Sequence, residues 1–178
     1  MPSEAELQAL LDKQAITELS YVYTRACDRM DRALLETVYW PDGTDDHGTF
    51  KGTAPEYYDW VMGFLSNWVS THHDNTNILI ELDGDSAWGE VHWNGYYRYD
   101  VDGETYDHLA VGRYIDRYER RNGEWRILHR TCVSDWTRIA PTLNDWRKAP
   151  PGDQILGQRG SDDPVYQRDR IAIKAAAE

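Results

Sequence analysis

The chain has 178 residues, which fits one domain, and 40% of them are hydrophobic, so a sizeable core is available. Its formal net charge of −12 argues against nucleic acid and anionic membranes as partners, because both require a basic face. Two cysteines, Cys27 and Cys132, are too few for a disulfide framework, and no apolar segment is long enough for a membrane span. We therefore expect a cytoplasmic protein.

The first part of the chain predicts helices. Ser3 and Glu6 form a capping box before a long amphipathic pattern, which indicates a helix over about 4–30. A second short helix is expected over about 31–39, ahead of the turn signal WPDG. The segment TDDHGTFKG then indicates one short strand, and Thr53 is the expected N-cap of a third helix.

From residue 71 onward the apolar pattern changes to that of strands. Four strand-like segments follow one another, separated by DGD, DG and RNG, which are typical hairpin turns. Helices followed by a run of strands predict the α+β class, with a cone-shaped, curved, mixed or antiparallel sheet wrapped around the N-terminal helices. We expect a domain over 1–138 and a C-terminal extension over 139–178, which packs on the domain, over a pocket mouth or on a neighbouring subunit.

Several catalytic and binding classes lack their motifs in this sequence. It has no G-x-S-x-G elbow, no Gly-rich phosphate loop and no dinucleotide fingerprint. The six histidines do not form H-x-x-x-H, and His72 and His73 point to opposite faces of a strand, so they do not share one ion. We therefore predict neither a metal nor a cofactor, which leaves acid–base chemistry by side chains alone.

Acid–base chemistry requires a base with a pKa near the working pH and a group that orients it. Histidine is the natural base, and a buried carboxylate usually orients it. Asp28 is the candidate carboxylate, since it lies at the C-terminal end of the long helix, where the helix dipole disfavours an anion. A functional need would explain its position, and so would plain exposure to solvent. Asp31 is the competing carboxylate, although it suits the N-cap of the second helix.

Four segments of the sequence resemble the SnoaL-like branch of the nuclear transport factor 2-like superfamily. These segments are AITELSYVYTRACDRMD, DDHGTFKG, HHDNTN and GRYIDRYERRNGEWRILHRT. The resemblance covers about residues 5–138, and it implies the cone-shaped fold of that superfamily. It also implies a homodimer or homotrimer, because members of the family form such assemblies.

The resemblance further implies a catalytic pair inside the cone. Dehydratases and a dehydrochlorinase of this branch use an aspartate at the end of the long helix and a histidine at the start of a strand, which correspond to Asp28 and His73. A tyrosine five residues before the aspartate matches Tyr23, and an arginine on the last long strand matches Arg130. His108 lies near the position of a second pocket histidine.

The implied activity is a cofactor-independent elimination. His73, oriented by Asp28, would remove a proton, while Tyr23, Arg130 or His108 would stabilise the oxyanion or protonate the leaving group. The eight Trp and twelve Tyr residues suit a small hydrophobic, aromatic substrate, such as a lignin-derived diol that loses formaldehyde to give a stilbene. The candidate substrate-binding residues are Trp40, His47, Trp60, Trp68 and Trp93.

Two other interpretations stay open at this stage, because fold alone does not determine function. The first is a non-catalytic structural subunit, such as the β-subunit of a ring-hydroxylating dioxygenase. The second is an isomerase or cyclase that uses the same pair of residues. Under the structural interpretation, His73 is an ordinary strand histidine and Asp28 is a solvated helix end.

Overall fold

The computed structural model describes residues 1–148, 152 and 154–168. Met1–Thr142 form one compact unit, and the chain from Leu143 forms a second. The first unit contains three helices and six strands: α1 (Glu4–Arg29), α2 (Arg32–Leu35), β1 (Tyr39–Asp46), β2 (Lys51–Thr53), α3 (Ala54–Ser66), β3 (Ser70–Asp83), β4 (Ser86–Val101), β5 (Glu104–Arg121) and β6 (Glu124–Pro141).

Local sequence signals account for both ends of α1. The Glu6 carboxylate accepts a hydrogen bond from the Ser3 backbone N–H at 2.7 Å, and the Ser3 hydroxyl accepts one from the Glu6 N–H at 3.3 Å, as the capping box predicts. The helix ends at Met30, which adopts the left-handed conformation with φ of 55° and donates its N–H to the last carbonyls. Asp31 then caps α2 through the Leu34 N–H at 3.0 Å.

The six strands form one mixed sheet in the order β2-β1-β6-β5-β4-β3. Strands β1 and β6 are parallel, and the other neighbours are antiparallel. Bulges interrupt the β3–β4 and β5–β6 pairings, and such irregularities bend and twist a sheet. The curved, unclosed sheet with N-terminal helices confirms the predicted α+β class.

The region between α2 and α3 differs from its prediction. It holds two strands rather than one, and β1 begins at Tyr39, before the WPDG segment that was predicted as a turn. Pro41 is tolerated within β1 because the pairing with β6 is irregular between Tyr39 and Thr44, so no regular ladder bond is lost there. The second helix is also shorter than predicted, since it ends at Leu35.

The core lies where the helices meet one face of the sheet. Alternate residues of the long strands point to this face, as the two-residue period of a strand requires. They join the buried side of α1 in a single cluster, which includes Ile16, Tyr23, Val91, Trp93, Tyr114, Tyr118, Trp125 and Ile127. Trp125 also donates its indole N–H to Oδ1 of Asp12 at 2.9 Å, which fixes α1 against β6.

The described part of the second unit contains two single-turn 3-10 helices, Gly160–Asp162 and Pro164–Tyr166. Asp163 lies between the two helices. Its carboxylate accepts hydrogen bonds from the N–H of Gln158, which precedes the first helix, at 2.9 Å, and from the N–H of Val165 in the second helix at 3.0 Å. The predicted packing of the C-terminal extension on the domain, a pocket mouth or a neighbouring subunit stays a prediction, and part of this extension lies outside the described residues. Within the described part of the chain, no helix has the length and apolarity to cross a membrane.

Gly112 in β5 shows how tightly the sheet is packed, and Gly63 in α3 is a comparison position with open space around it. A Cβ on Gly112 would lie 2.0 Å from the Val133 carbonyl oxygen and 2.6 Å from the Trp93 ring, whereas a Cβ on Gly63, at an exposed position of α3, meets nothing within 4 Å. We predict that Gly112→Ala lowers the free energy of unfolding by about 1–3 kcal/mol or more, by overpacking. Gly63→Ala should raise it by up to about 1 kcal/mol, because alanine favours helix. Urea unfolding measures the change in the free energy of unfolding for both variants. Equal changes in the two variants would contradict the tight packing around Gly112.

Candidate active site

The last turn of α1 and the start of β3 meet at a buried aspartate–histidine pair. Nδ1 of His73 lies 2.6 Å from Oδ1 of Asp28, and the other carboxylate oxygen accepts the His73 backbone N–H at 2.8 Å. Only 6% of the His73 side chain and 8% of the Asp28 side chain are exposed. One carboxylate therefore holds both the backbone and the ring of the histidine.

Strand alternation separates His73 from its neighbour His72. The His72 side chain is 65% exposed and contacts Asp74, which is also on the surface. Asn75, two residues after His73 and on the same face, donates its side-chain N–H to the Ser20 carbonyl at 2.8 Å. This hydrogen bond connects β3 to α1 two residues beyond His73.

The second ring nitrogen of His73 faces a tyrosine that the sequence did not single out. Nε2 lies 2.9 Å from the hydroxyl of Tyr97 on β4, and the two rings meet edge to face with centroids 5.2 Å apart. Gly95 is paired with His73 in the sheet, and a Cβ at this position would lie 2.6 Å from the Tyr97 hydroxyl. The missing side chain of Gly95 thus makes room for Tyr97 to reach His73.

Burial and hydrogen bonding act in opposite directions on the acidity of Asp28. Burial disfavours the charged carboxylate, but the hydrogen bonds from His73 outweigh it and lower the pKa of Asp28 below its ordinary value. Burial raises the pKa of Tyr97 well above that of a free tyrosine. The carboxylate is therefore ionised at neutral pH, and Tyr97 keeps its proton.

Aromatic rings extend from Tyr97 along α3. We call Trp60, Phe64, Trp68 and Tyr97 the aromatic belt. Trp60 and Phe64 stack with centroids 5.4 Å apart, and Trp68 lies 4.9 Å from Tyr97. The belt is only partly covered, since both tryptophans are half-buried and Phe64 is exposed. It is therefore open to an aromatic ligand beside His73.

Arg130 is placed deep in the core beside Tyr23. Its guanidinium forms a bidentate ion pair with Asp116, with both N–O distances 2.7 Å, and no part of the side chain is exposed. The same group lies over the rings of Tyr23 and Tyr114, at 4.2 and 3.9 Å from their centroids. Burial alone would lower the pKa of Arg130, but the Asp116 carboxylate raises it well above its ordinary value, so the charge is retained.

Several buried donors of this region lack a hydrogen-bond partner among the described residues, and Nη1 of Arg130 and Nε1 of Trp68 are two of them. A buried donor without an acceptor costs about 1–3 kcal/mol. Both groups are therefore suited to a bound molecule that offers oxygen or halogen acceptors.

The other predicted residues fall into three groups. His108 and Trp68 lie next to Tyr97, with ring centroids 5.8 and 4.9 Å from it. Trp93 is buried and stacks on Tyr114 at 5.7 Å. Trp40 lies in a different part of the fold, against the β5–β6 hairpin.

Trp40 donates its indole N–H to the Glu119 carbonyl, and its ring lies beneath the guanidinium groups of Arg121 and Arg126, at 4.8 and 4.9 Å. None of these neighbours belongs to the aromatic belt. The structure therefore does not bring Trp40 together with His73, and its predicted place in the pocket wall has no support from these contacts.

His47 has a carboxylate of its own. Nδ1 of His47 is hydrogen-bonded to Asp45, whose other oxygen accepts the Tyr39 hydroxyl at 2.6 Å. The His47 ring stacks on Tyr57 with centroids 4.9 Å apart and lies 5.8 Å from Trp60, at the end of the belt away from Tyr97. The Tyr57 hydroxyl is in turn hydrogen-bonded to that of Tyr23.

Comparison with protein families matches residues 8–131 to the SnoaL-like domain. This chain belongs to the SnoaL-like family. The match runs from the first turns of α1 into β6, and so includes both Asp28 and His73.

Among curated proteins, the gamma-hexachlorocyclohexane dehydrochlorinase of Sphingobium indicum is 28% identical over 160 residues, which cover 83% of this chain and 94% of that protein. The crystal structure of a type 2 hexachlorocyclohexane dehydrochlorinase has a TM-score of 0.72 at 22% identity, covering 83% of this chain and 99% of that one. A suggested scytalone dehydratase of Novosphingobium aromaticivorans has a TM-score of 0.65 at 21% identity, covering 83% and 97%. These three relatives are named as two dehydrochlorinases and a dehydratase, and the two solved structures share the fold of this chain.

Sequence reasoning about this SnoaL-like chain did not single out Tyr97, Gly95 or Asp45. A signal existed for Asp45, since Asp-x-His places both side chains on one face of a strand. The alignment of Tyr97 and Gly95 with His73 depends on the bulge between Asn75 and Ile78, which the sequence does not show.

We predict that the buried pair stabilises the fold in a pH-dependent way. Because the pKa of Asp28 is lowered on folding, its contribution is full above about pH 4, the range of an unfolded aspartate, and is lost as the pH falls through the folded pKa. Asp28→Asn should therefore lower the free energy of unfolding by about 1–3 kcal/mol at pH 7. The difference from wild type should shrink as the pH falls below about 4.

Asp74→Asn is the matched control, because it alters a surface aspartate–histidine contact. It should change stability by less than about 0.5 kcal/mol at any pH. Urea unfolding followed by circular dichroism measures both variants. A pH-independent loss for Asp28→Asn would contradict the ionised state of the carboxylate.

Proposed function

We propose that this protein is a cofactor-independent lyase in which His73 is the base that removes a proton from a small aromatic substrate. The observation that carries this proposal is the buried arrangement of His73 between Asp28 and Tyr97, beside a partly open aromatic belt. The lyase names of its relatives support the same reaction class.

The geometry supports Nε2 as the basic atom of the proposed reaction. An ionised carboxylate only accepts hydrogen bonds, so Nδ1 of His73 carries the proton shared with Asp28. The lone pair then lies on Nε2, on the side of Tyr97. When Nε2 takes a proton, the adjacent carboxylate stabilises the imidazolium that forms.

Tyr97 acts as a hydrogen-bond donor rather than as a base, because burial raises its pKa. It donates to Nε2 before a substrate binds. A substrate with an acidic C–H or O–H group displaces this bond and presents its proton to His73. The released hydroxyl is then available to an oxygen that gains negative charge during the reaction.

The half-open belt favours an aromatic substrate, since stacked and edge-to-face rings add about 0.5–1.5 kcal/mol per pair beyond burial. A lignin-derived diarylpropane diol suits this description. His73 would take the proton of its primary hydroxyl, the carbon–carbon bond would break to release formaldehyde, and its electrons would form the alkene as the neighbouring hydroxyl leaves. A proton from His108, or the proton that His73 has just gained and passes on through the Tyr97 hydroxyl, converts that hydroxyl to water, and the product is a stilbene.

Turnover is tested by incubating the purified protein with aromatic diols, including a 1,2-diarylpropane-1,3-diol, and with gamma-hexachlorocyclohexane. Formaldehyde, stilbene absorbance and chloride release are measured in parallel. We expect turnover of at least one aromatic substrate, unchanged by a chelator. A protein that is inactive on the whole panel and co-purifies with a larger oxygenase chain would support the structural-subunit interpretation instead.

We predict that His73→Gln and Asp28→Asn each lower kcat by about 100-fold to 10,000-fold, because they remove the base or its orientation. Tyr97→Phe should lower kcat by about 100-fold, because it removes the hydroxyl that stabilises the developing charge. His72→Gln is the matched control and should retain activity, because its side chain faces solvent. Turnover that is retained in both His73→Gln and Asp28→Asn would refute the role of His73 as the base.

Gly95→Ala tests whether Gly95 positions Tyr97. The added Cβ would lie 2.6 Å from the Tyr97 hydroxyl and displace it, so we predict a loss of kcat similar to that of Tyr97→Phe, with little change in KM. The two losses should not add in the double variant, because both remove the same hydrogen bond. Additive losses would show that Gly95 acts through something other than Tyr97.

A further inference from the structure

The structure contains a second buried histidine–carboxylate pair, which the proposed lyase chemistry does not use. The Asp45 side chain is fully buried and accepts hydrogen bonds from the Tyr39 hydroxyl and from Nδ1 of His47. Asp45 lies on β1 and His47 directly follows that strand, so the two side chains share one face. The arrangement of carboxylate, histidine and tyrosine is therefore built in by the fold and is not a chance surface contact.

One ring nitrogen of His47 is free. Nε2 has no hydrogen-bond partner among the described residues, whereas both ring nitrogens of His73 are occupied. The His47 side chain is 14% exposed, so a bound molecule can reach it. A histidine with a purely structural role would be expected to use both nitrogens when so largely covered.

The surroundings of His47 indicate what kind of molecule fits. Its ring lies among the rings of Tyr57, Trp60 and Tyr114, with centroid distances of 4.9, 5.8 and 6.0 Å. Trp60 belongs to the aromatic belt, which continues through Phe64 to Tyr97 beside His73. The two histidine–carboxylate pairs thus lie at opposite ends of one row of aromatic rings.

We propose that His47 is a second binding site on this row, which accepts a hydrogen bond from a phenolic hydroxyl at the far end of a two-ring aromatic ligand. This inference rests on the proposed function, because it specifies the substrate of the His73 site. Asp45 holds the proton on Nδ1, so Nε2 presents a lone pair to a donor. A phenol is an O–H donor attached to an aromatic ring, and so satisfies both Nε2 and the surrounding rings.

Binding of matched stilbenes tests the proposal without turnover. The probes are 4-hydroxystilbene, its 4-methoxy ether, which cannot donate a hydrogen bond, and the 4-carboxylate. Dissociation constants are measured by tryptophan fluorescence for wild type, His47→Phe and the control His72→Phe. The phenylalanine at position 47 keeps a ring that can stack on Tyr57 but lacks the nitrogen.

We expect wild type and His72→Phe to bind the phenol roughly tenfold more tightly than the ether, a ratio typical of one hydrogen bond. In His47→Phe this ratio should fall to about one, while affinity for the ether is retained. Equal phenol-to-ether ratios in wild type and His47→Phe, no binding of the phenol, or tighter binding of the carboxylate than of the phenol would each overturn the proposal.

A second measurement does not depend on the folding of the variant. In wild-type protein labelled with ¹⁵N, the Nε2 signal of His47 should shift on addition of the phenol but not of the ether, and an unmoved signal would contradict the proposal. Because these experiments measure binding, a protein that shows the phenol preference but no lyase activity would contradict the proposed function and leave the His47 site intact.

Discussion

The site depends on one carboxylate that is hydrogen-bonded to both the backbone and the ring of the same residue. Asp28 lies in the last turn of α1, where the partial negative charge of the helix end disfavours an anion. Its two hydrogen bonds from His73 offset that cost and the cost of burial, so the pKa of the carboxyl is lowered rather than raised. They also dock β3 on the helix end and leave the ring only one orientation, with Nε2 toward Tyr97. The position of the strand and the direction of the base are therefore set by the same interaction.

Much of this fold is readable from the sequence, whereas the assembly of the site is not. Capping at Ser3, the helical period of α1 and the three hairpin turns are local signals, and they predict the order of the long elements correctly. The register of the sheet is different. Counted back from the tight β3–β4 turn, His73 would pair with Tyr96, but the bulge between Asn75 and Ile78 shifts the pairing by one residue to Gly95. Because a one-residue slip exchanges the two faces of a strand, only this bulge brings Tyr97 rather than Tyr96 to the side of His73.

The same constraint operates between β5 and β6. A shift of pairing between Arg117 and Tyr118 places Arg130 opposite Asp116, and the resulting ion pair is fully buried. Breaking such a pair costs far more than a surface contact, because it leaves a charge without a partner in the core. Resemblance to a family identified Arg130 but not the carboxylate that holds it. For Trp40 the prediction lacks structural support. Its residue type alone suggested a place in the pocket wall, but its ring is covered by Arg121 and Arg126 of the β5–β6 hairpin, which is far away in sequence.

The two histidine–carboxylate pairs differ in a way that indicates an order of events for the proposed reaction. At His73 both ring nitrogens are occupied, so a substrate must displace the Tyr97 hydroxyl before Nε2 can act as a base. At His47 one nitrogen is already open among aromatic rings. A ligand that first binds at His47 is held along the belt, and the entropy lost in positioning its other end beside Tyr97 is smaller than for a free molecule. The bond between Tyr97 and His73 then exchanges for bonds to the ligand, so the base is exposed only when a molecule long enough to reach both pairs is in place.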